Sequence, residues 1–219
     1  MVEVVDAESF SALLHVSRET MERLTVYESL LLKWQKSINL VSPSSLRELW
    51  RRHMLDSAQL VKMAPAAPRV WMDIGSGAGF PGMVVAILMA NNPEFHMNLV
   101  ESDSRKAIFL KETARLTGAP VTVHTMRIEE LSPGLLQPDV VSARALASLS
   151  RLLAYSESFF RPGTTGLFLK GAGYKEELTE ARKDWIFSSE AFPSRSDPAG
   201  VVLKIWGQEN GTIRRTAHE

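Results

Sequence analysis

One run, Arg69 to Met89 (RVWMDIGSGAGFPGMVVAILM), limits the fold of this chain more than any other. Val70, Trp71, Met72 and Ile74 form a short apolar run of the kind found in a strand covered on both faces, as in a parallel sheet between layers of helices. Gly75, Gly77 and Gly79 follow, and without a Cβ their backbone can turn tightly and lie close to a ligand. Pro81 stands where a helix favours proline at its first position, and Met83 to Met89 continue as an apolar helix. Strand, glycine turn and helix in this order form the usual seat of an adenosine-bearing ligand.

The glycine spacing narrows the ligand. A dinucleotide fingerprint, G-x-G-x-x-G, needs its third glycine at position 80, where this chain has Phe80. Close helix-to-strand packing around a pyrophosphate is therefore not specified, which weakens a nicotinamide-linked reading. The pattern from Asp73 to Gly79, D-x-G-x-G-x-G, resembles the motif of S-adenosylmethionine-dependent methyltransferases, whose cofactor carries no phosphate and needs backbone room for a methionine tail. On the residues alone, a tight turn that holds no ligand stays open.

Composition removes several classes. With 219 residues, 45% of them hydrophobic, the chain can bury one good core and a modest extension. Lys plus Arg and Asp plus Glu each number 25, so the net charge is zero and any RNA contact has to come from local patches. The absence of cysteine rules out disulfides, thiolate metal sites and a cysteine nucleophile, and fits a reducing cytoplasm. MVEVVDAESF at the N-terminus has no basic segment and no long apolar run, and no stretch reaches the length of a membrane span. A cytoplasmic protein with no membrane partner is expected.

The first sixty or so residues read as helical. Asp6 caps a short helix and Ser17 a longer one running to about Ser37, on which Met21, Leu24, Leu31, Trp34 and Ile38 share one face. Ser42-Pro43 restarts a helix carrying Leu46, Leu49, Trp50, Leu55 and Leu60. Its other side holds Arg47, Arg51, Arg52 and His53, either a solvated face or a phosphate patch. Met63 to Pro68 reads as a linker.

Past the glycine turn, His96 to Glu101 reads as a second strand ending in an acid. A carboxylate there can accept from both ribose hydroxyls of an adenosine; alternatively Glu101 is an acid favoured at the start of the helix from about Arg105 to Leu116. Strands then follow at Val121 to His124, Asp139 to Ser142 and Thr165 to Lys170, with helices over Ser148 to Phe160 and Lys175 to Lys183. Trp185 to Ser188 and Val201 to Trp206 are two further strands. This order predicts a parallel sheet wound with helices on both faces, closed by an antiparallel hairpin at one edge. Ligands in such sheets bind beyond the carboxyl ends of the strands, which draws attention to Asp73, Gly75, Glu101, Met126 to Glu130, Ala143-Arg144 and Lys170-Gly171.

Several stretches together resemble one family, the bacterial RsmG or glucose-inhibited division protein B family. They are Lys33-Trp34-Gln35-Lys36 with Asn39-Leu40, Arg52-His53-Met54-Leu55-Asp56-Ser57, and Asp73 through Gly82. Further on stand Glu101-Ser102 with Arg105-Lys106 and Phe109-Leu110, then Arg127-Ile128-Glu129, Ser142-Ala143-Arg144-Ala145 and Lys170-Gly171. The match runs in one order over most of residues 24 to 171, and the pairing of R-H-x-L-D-S with G-x-G-x-G-F-P-G is its specific part. Glu101 stands where many members carry Asp, and residues 172–219, including Arg214-Arg215, match no motif.

The resemblance implies a Rossmann-like class I S-adenosylmethionine-dependent methyltransferase fold, a doubly wound, mostly parallel sheet. Residues 1–62 would form a helical extension, 63–207 the methyltransferase domain and 208–219 a tail. The implied activity is methylation of N7 of a specific guanine in 16S ribosomal RNA (guanine 527 in the family), with S-adenosyl-L-methionine as cofactor. Implied cofactor contacts fall on Gly75, Phe80, Ile128, Glu129 and Arg144, to which Asp73, Gly77 and Glu101 are added from their places on the strand ends. Gly75 would admit the methionine portion and Ile128 would pack on adenine. Phe80 would wall the pocket or sit in the core, and Glu129 is a contact or half of a solvated Glu129-Glu130 pair. Arg144, just past a buried strand, is the residue expected to position substrate.

Guanine N7 offers a lone pair and bears no proton, so the implied reaction needs no general base; positioning and exclusion of water carry the rate. Methylation of a pyrimidine carbon would need a thiolate, which this chain lacks. The Asn/Asp-Pro-Pro-aromatic signature of exocyclic-amine methylation is replaced by Ser142-Ala-Arg-Ala145. RNA phosphates would meet Lys33, Lys36, Arg47, Arg51, Arg52, Arg105, Lys106 and Lys170. The expected partner is 16S ribosomal RNA in the small ribosomal subunit or an assembly intermediate, bound by a monomer. His15, His53, His96, His124 and His218 show no ligand spacing, so no metal is expected. A methyltransferase of another substrate and a non-catalytic ribosome-associated binding protein are the alternatives.

Overall fold

A computed structural model describes residues 4–208 and 211–216; His218 and the rest of 1–3, 209–210 and 217–219 lie outside it. Five strands, β1 (Val70–Ile74), β2 (His96–Val100), β3 (Val121–His124), β4 (Val140–Arg144) and β5 (Thr165–Lys170), pair in parallel in the order β3-β2-β1-β4-β5. Side chains alternate across such a sheet. Trp71 and Leu99 therefore enter one apolar cluster while Met72 and Ile74 enter the other, all four fully buried.

The far edge departs from the sequence reading in one respect. Trp185 to Ser188 does not form one strand of the main sheet. Trp185–Ile186 (β6) leaves it to pair with Arg214–Arg215 (β9), and the edge hairpin is built instead from Ser188–Pro193 (β7) and Val201–Trp206 (β8), with β8 antiparallel to β5. Packing explains the diversion. The Trp185 ring is buried, its Nε1 donates to Ser150 Oγ at 3.1 Å, and the Arg215 guanidinium covers it at 4.8 Å.

Helices cover both faces. On one lie α1 (Ala7–Leu14) and α2 (Arg18–Trp34), started by Asp6 and Ser17, whose side chains accept from the Ser9 and Thr20 amides. Leu24, Tyr27 and Leu31 of α2 are fully buried, each such burial contributing roughly 1.5–3 kcal/mol. Phe10, Leu24 and Tyr27 share one cluster with Trp71 of β1, Met83 of the later helix over residues 82–88, and Phe109. The expected continuation of α2 to Ser37 stops at Trp34. There the Gln35 side chain takes over, accepting from the Leu40 and Val41 amides at 3.0 Å and donating to the Val41 carbonyl at 2.8 Å.

The single helix expected from Ser42 is broken into α3 (Pro43–Leu46), a π-helical stretch over Leu49–Leu55, α4 (Asp56–Ala58) and a 3-10 turn over Gln59–Lys62. This change of period alters which residues face inward: His53, expected beside the arginines on the outer face, is buried. The remaining helices are α5 (Gly82–Leu88), α6 (Ser104–Thr117), α7 (Leu149–Ser156) and α8 (Tyr174–Asp184). Pro81 flanks α5 rather than opening it.

Candidate active site

Strand order reverses between β1 and β4, and beyond their carboxyl ends a cavity of about 400 Å³ opens. The glycine turn forms one wall, Glu101 and Ser102 after β2 a second, and Met126 to Glu129 after β3 a third. Arg144 to Leu146 after β4, with Leu40 and Tyr155, close it. Ser76 donates from its amide to the Val100 carbonyl at 3.1 Å, tying the turn to the end of β2. Gly75 holds φ +65°, and a Cβ there would lie 2.6 Å from Leu146 Cδ1, so the backbone itself reaches the far wall.

Glu101 is 7% exposed and fixed by two amides, with Gly77 N–H donating to Oε2 and Asp103 N–H to Oε1, both at 2.7 Å. A carboxylate offers about four acceptor positions, so roughly two stay open. Asp73 is fully buried and does not reach the cavity wall. Its Oδ1 accepts from Ser142 Oγ at 2.6 Å, and Ser142 in turn accepts from Trp71 Nε1 at 2.9 Å. The second oxygen lies beside the Gly82 amide without a full hydrogen bond. Burial pushes the Asp73 carboxyl up to about 6, opposed by its hydrogen bond from Ser142 and by the nearby Ser76 hydroxyl and Gly82 amide.

Arg144 sits where the motif stretches converge. Its Nη1 donates to the Arg52 carbonyl at 3.1 Å, its Nη2 lies 2.5 Å from His53 Nδ1, and its guanidinium stacks over the Phe80 ring at 5.0 Å. The Arg52 carbonyl in the π-helical stretch accepts from this guanidinium, while the His53 carbonyl takes the Ser57 hydroxyl at 2.6 Å. Burial first, then the charges of Arg144 and Arg52, pushes His53 down to about 3. The ring is thus neutral, and because Arg144 can only donate, Nδ1 is the acceptor and Nε2 carries the proton. Phe80 also packs against His53 at 4.7 Å and Tyr27 at 5.3 Å. Burial also lowers Arg144 itself.

A second cavity, of about 700 Å³, shares the Arg144–Leu146 wall and continues past Arg52, His53 and Asp56 to Lys170 and Ser194. The cations expected to meet phosphate divide here. Lys33, Lys36, Arg47, Arg52 and Arg105 are exposed and Lys106 half-buried, with Arg52 within 4 Å of Glu48 and Asp197 and Arg51 3.0 Å from Glu48. Lys170 is different. Its side chain is 7% exposed, 2.6 Å from Glu177 and donating to the Ala147 carbonyl, so it braces the second cavity instead of offering a surface charge.

Residues 20–196 match the family described as GidB, rRNA small subunit methyltransferase G. The chain belongs to this family. A ribosomal RNA small subunit methyltransferase G from Parvibaculum lavamentivorans is 62% identical over 205 residues, covering 94% of this chain and 91% of the relative. Another, from Rhodospirillum centenum, is 53% identical over 199 residues, covering 91% and 89%. Among solved structures, the O-methyltransferase TomG of Streptomyces achromogenes, in complex with SAM, shares the fold alone. Its TM-score is 0.58 at 15% identity over 91% of this chain and 94% of that one. The sheet order and helical layers are those of class I methyltransferases, and no helix among the described residues is long and apolar enough to cross a membrane.

For this methyltransferase G chain the structure brings Gly75, Gly77, Phe80, Glu101, Ile128, Glu129, Arg144 and Lys106 to one cavity, and leaves Asp73 beneath it. Sequence reasoning passed over Tyr27, whose hydroxyl donates to the Ala78 carbonyl at 2.5 Å, and over Tyr155, Leu146 and Asp56 at the cavity walls. For Asp56 a signal existed, since it stands within R-H-x-L-D-S. Tyr27 lies between Leu24 and Leu31 at helical spacing but carries a hydroxyl that needs a partner.

Proposed function

We propose that this chain methylates N7 of a specific guanine in 16S ribosomal RNA, with S-adenosylmethionine as methyl donor. Family membership supports the ribosomal substrate; the observation that carries the finer reading is the pair of adjoining cavities that meet at Arg144. Glycine backbone reaching the wall, an amide-fixed carboxylate at the second strand end and apolar Ile128 suit a cofactor with an adenosine end and an amino-acid end. Bound there, S-adenosylmethionine supplies an electrophilic methyl group on a positively charged sulfur.

The chain's own residues then have four tasks. Gly75 and Gly77 leave room for the methionine portion. Glu101 receives the ribose hydroxyls on its open lone pairs, and Ile128 with Glu129 lines the place of the adenine. Arg144, stacked on Phe80, stands between this cavity and the next, so a base entering from the second cavity is held at the boundary with water excluded. Arg144 donates toward guanine O6 while leaving N7 open.

No proton has to be removed from N7, and the lining fits that. Among the described residues the first cavity has no histidine or cysteine in its wall, and its carboxylates are the amide-bound Glu101 and the exposed Glu129. Arg51, Arg52, Arg105 and Lys106 meet RNA phosphates, and the protein acts as a cytoplasmic monomer on the small subunit or its assembly intermediate, without a metal. The test is transfer of labelled methyl to small subunits from cells lacking this gene, followed by mapping of the base. Label at N7 of one guanine, lost in Gly75→Asp, is the expected result. Cofactor binding without label on subunits would move the substrate to another RNA, a protein or a small molecule.

A further inference from the structure

We propose that the second cavity receives the target guanine and that Asp56 reads its N1–H and N2 amino edge. The inference rests on the N7 reading above and adds the residue that tells guanine from other bases. At about 700 Å³ the cavity has room for a nucleoside, and it joins the first through Arg144, Ala145 and Leu146. Guanine carries N7 and O6 on one edge, with N1–H and the amino group following on the next. A guanine whose N7 faces the first cavity, with O6 at Arg144, turns its N1–H and amino group into the second, toward a required acceptor.

Asp56 supplies that acceptor in a fixed orientation. Its Oδ1 accepts from Ser194 Oγ and Gln59 Nε2, both at 2.7 Å, one anchor three residues along the chain and the other 138 residues away. Its Oδ2 has no hydrogen-bond partner among the described residues and belongs to a half-buried side chain on the cavity wall. The neighbouring acids each face a cation. Glu177 takes Lys170 and the Leu149 amide on one oxygen, and Asp197 takes the Ala199 amide and faces Arg52. Adenine would present a lone pair at N1 and no amino group to Asp56, setting acceptor against acceptor, so the same carboxylate that attracts guanine repels adenine.

The test pairs a variant with a substrate change. Small subunits are reconstituted with either guanosine or inosine, which lacks the amino group, at the modified position, and kcat/KM for labelled methyl transfer is measured with the full chain. The wild-type chain is expected to lose roughly 10- to 100-fold on inosine, the scale of one lost hydrogen bond to a charged group. Asp56→Asn is expected to lose a similar factor on guanosine and little more on inosine, with S-adenosylmethionine affinity unchanged because Asp56 does not line the first cavity. Ser194→Ala, which keeps the carboxylate and removes one anchor, is expected to show the same pattern at smaller amplitude and serves if Asp56→Asn folds poorly. Equal rates on guanosine and inosine in the wild type, or an equal loss on both in Asp56→Asn, overturns the assignment. If the wild type methylates no guanosine in 16S RNA, the N7 reading itself has failed and this inference falls with it.

Discussion

His53 Nδ1 accepts from Arg144 Nη2 at 2.5 Å, joining residues 91 positions apart in the chain. The bond is possible only while the imidazole is neutral, and burial beside two arginines keeps it so. His53 is in this way a positioning residue for the guanidinium that divides the two cavities.

Replacing His53 by Leu removes that acceptor and leaves Arg144 with the Arg52 carbonyl and the Phe80 face. A loosened guanidinium is expected to lower turnover by roughly 100-fold, the cost of about 1 Å of misplacement at a reacting centre. His53→Asn, which can offer an amide oxygen near the Nδ1 position, is expected to recover a large part of it. Single-turnover transfer to unmodified subunits, set beside cofactor affinity, separates positioning from lost folding: similar rates in the two variants would sink the role.

Arg144→Lys keeps the charge and loses the planar fork. Lysine cannot at once reach the Arg52 carbonyl and His53 Nδ1 and cover Phe80, so turnover is expected to fall further than cofactor affinity does. Calorimetric titration with S-adenosylmethionine and a rate measurement on the same preparation decide it. Intact turnover with intact affinity would remove Arg144 from the reaction.

Two glycines are expected to fail in different ways. At Gly75 the left-handed backbone costs alanine about 1–2 kcal/mol, and the nearest obstacle, Leu146, is an exposed side chain that can move into the cavity. Gly75→Ala should therefore fold and bind cofactor weakly. Gly82 is packed against Asp73 Cβ, which a new methyl would approach to 2.7 Å, and against Leu99, both fully buried. Gly82→Ala should destabilise the fold by about 1–3 kcal/mol. Urea unfolding and cofactor titration of both variants test the contrast.

Glu101→Gln replaces one amide-binding oxygen with a donor. Either the Gly77 or the Asp103 amide loses its acceptor, and one ribose hydroxyl loses its charged partner. Hydrogen bonds to charged groups are worth about 1.5–3 kcal/mol, so S-adenosylmethionine affinity is expected to drop roughly 10- to 100-fold. An unchanged dissociation constant by calorimetry would take Glu101 out of the cofactor site.

Stability should carry two opposed pH signals. His53 takes up a proton near 6.5 when unfolded but only at about 3 when folded, so between these values its contribution is lost as pH falls. Asp73 is protonated at about 6 in the fold and at an ordinary 3.8 unfolded; between those values its contribution grows as pH falls. Relative to the parent, His53→Asn is expected to gain stability from pH 6.5 to 4, and Asp73→Asn to lose it over the same interval. Chemical unfolding at several pH values gives both slopes, and parallel curves for parent and variants would contradict them.

Much of this was legible in the residues, and the exceptions have physical reasons. Val70–Ile74, Val121–His124 and Thr165–Lys170 were readable because a buried parallel strand is a short apolar run between turn residues. His53 was misplaced because its face was assigned at 3.6 residues per turn in a stretch that is π-helical. Lys170 stood at the expected strand end, but its neutralising partner, Glu177, comes from a helix whose docking no local pattern gives. Trp185 was readable as extended; its pairing with residues 214–215 depended on where a distant segment returned. The glycine turn announced a ligand site, whereas the division into two cavities required Arg144 to meet a carbonyl and an imidazole from the N-terminal helices.

The Tyr27 hydroxyl on the Ala78 carbonyl ties helix α2 to the turn 51 positions later. Binding and docking are therefore linked quantities, and linkage is reciprocal: whatever free energy a ligand gains from a turn already held in shape, it returns as tighter docking of α2. Slower amide hydrogen exchange in a helix that lines no part of the glycine-turn cavity would then be a signature of occupancy at that cavity.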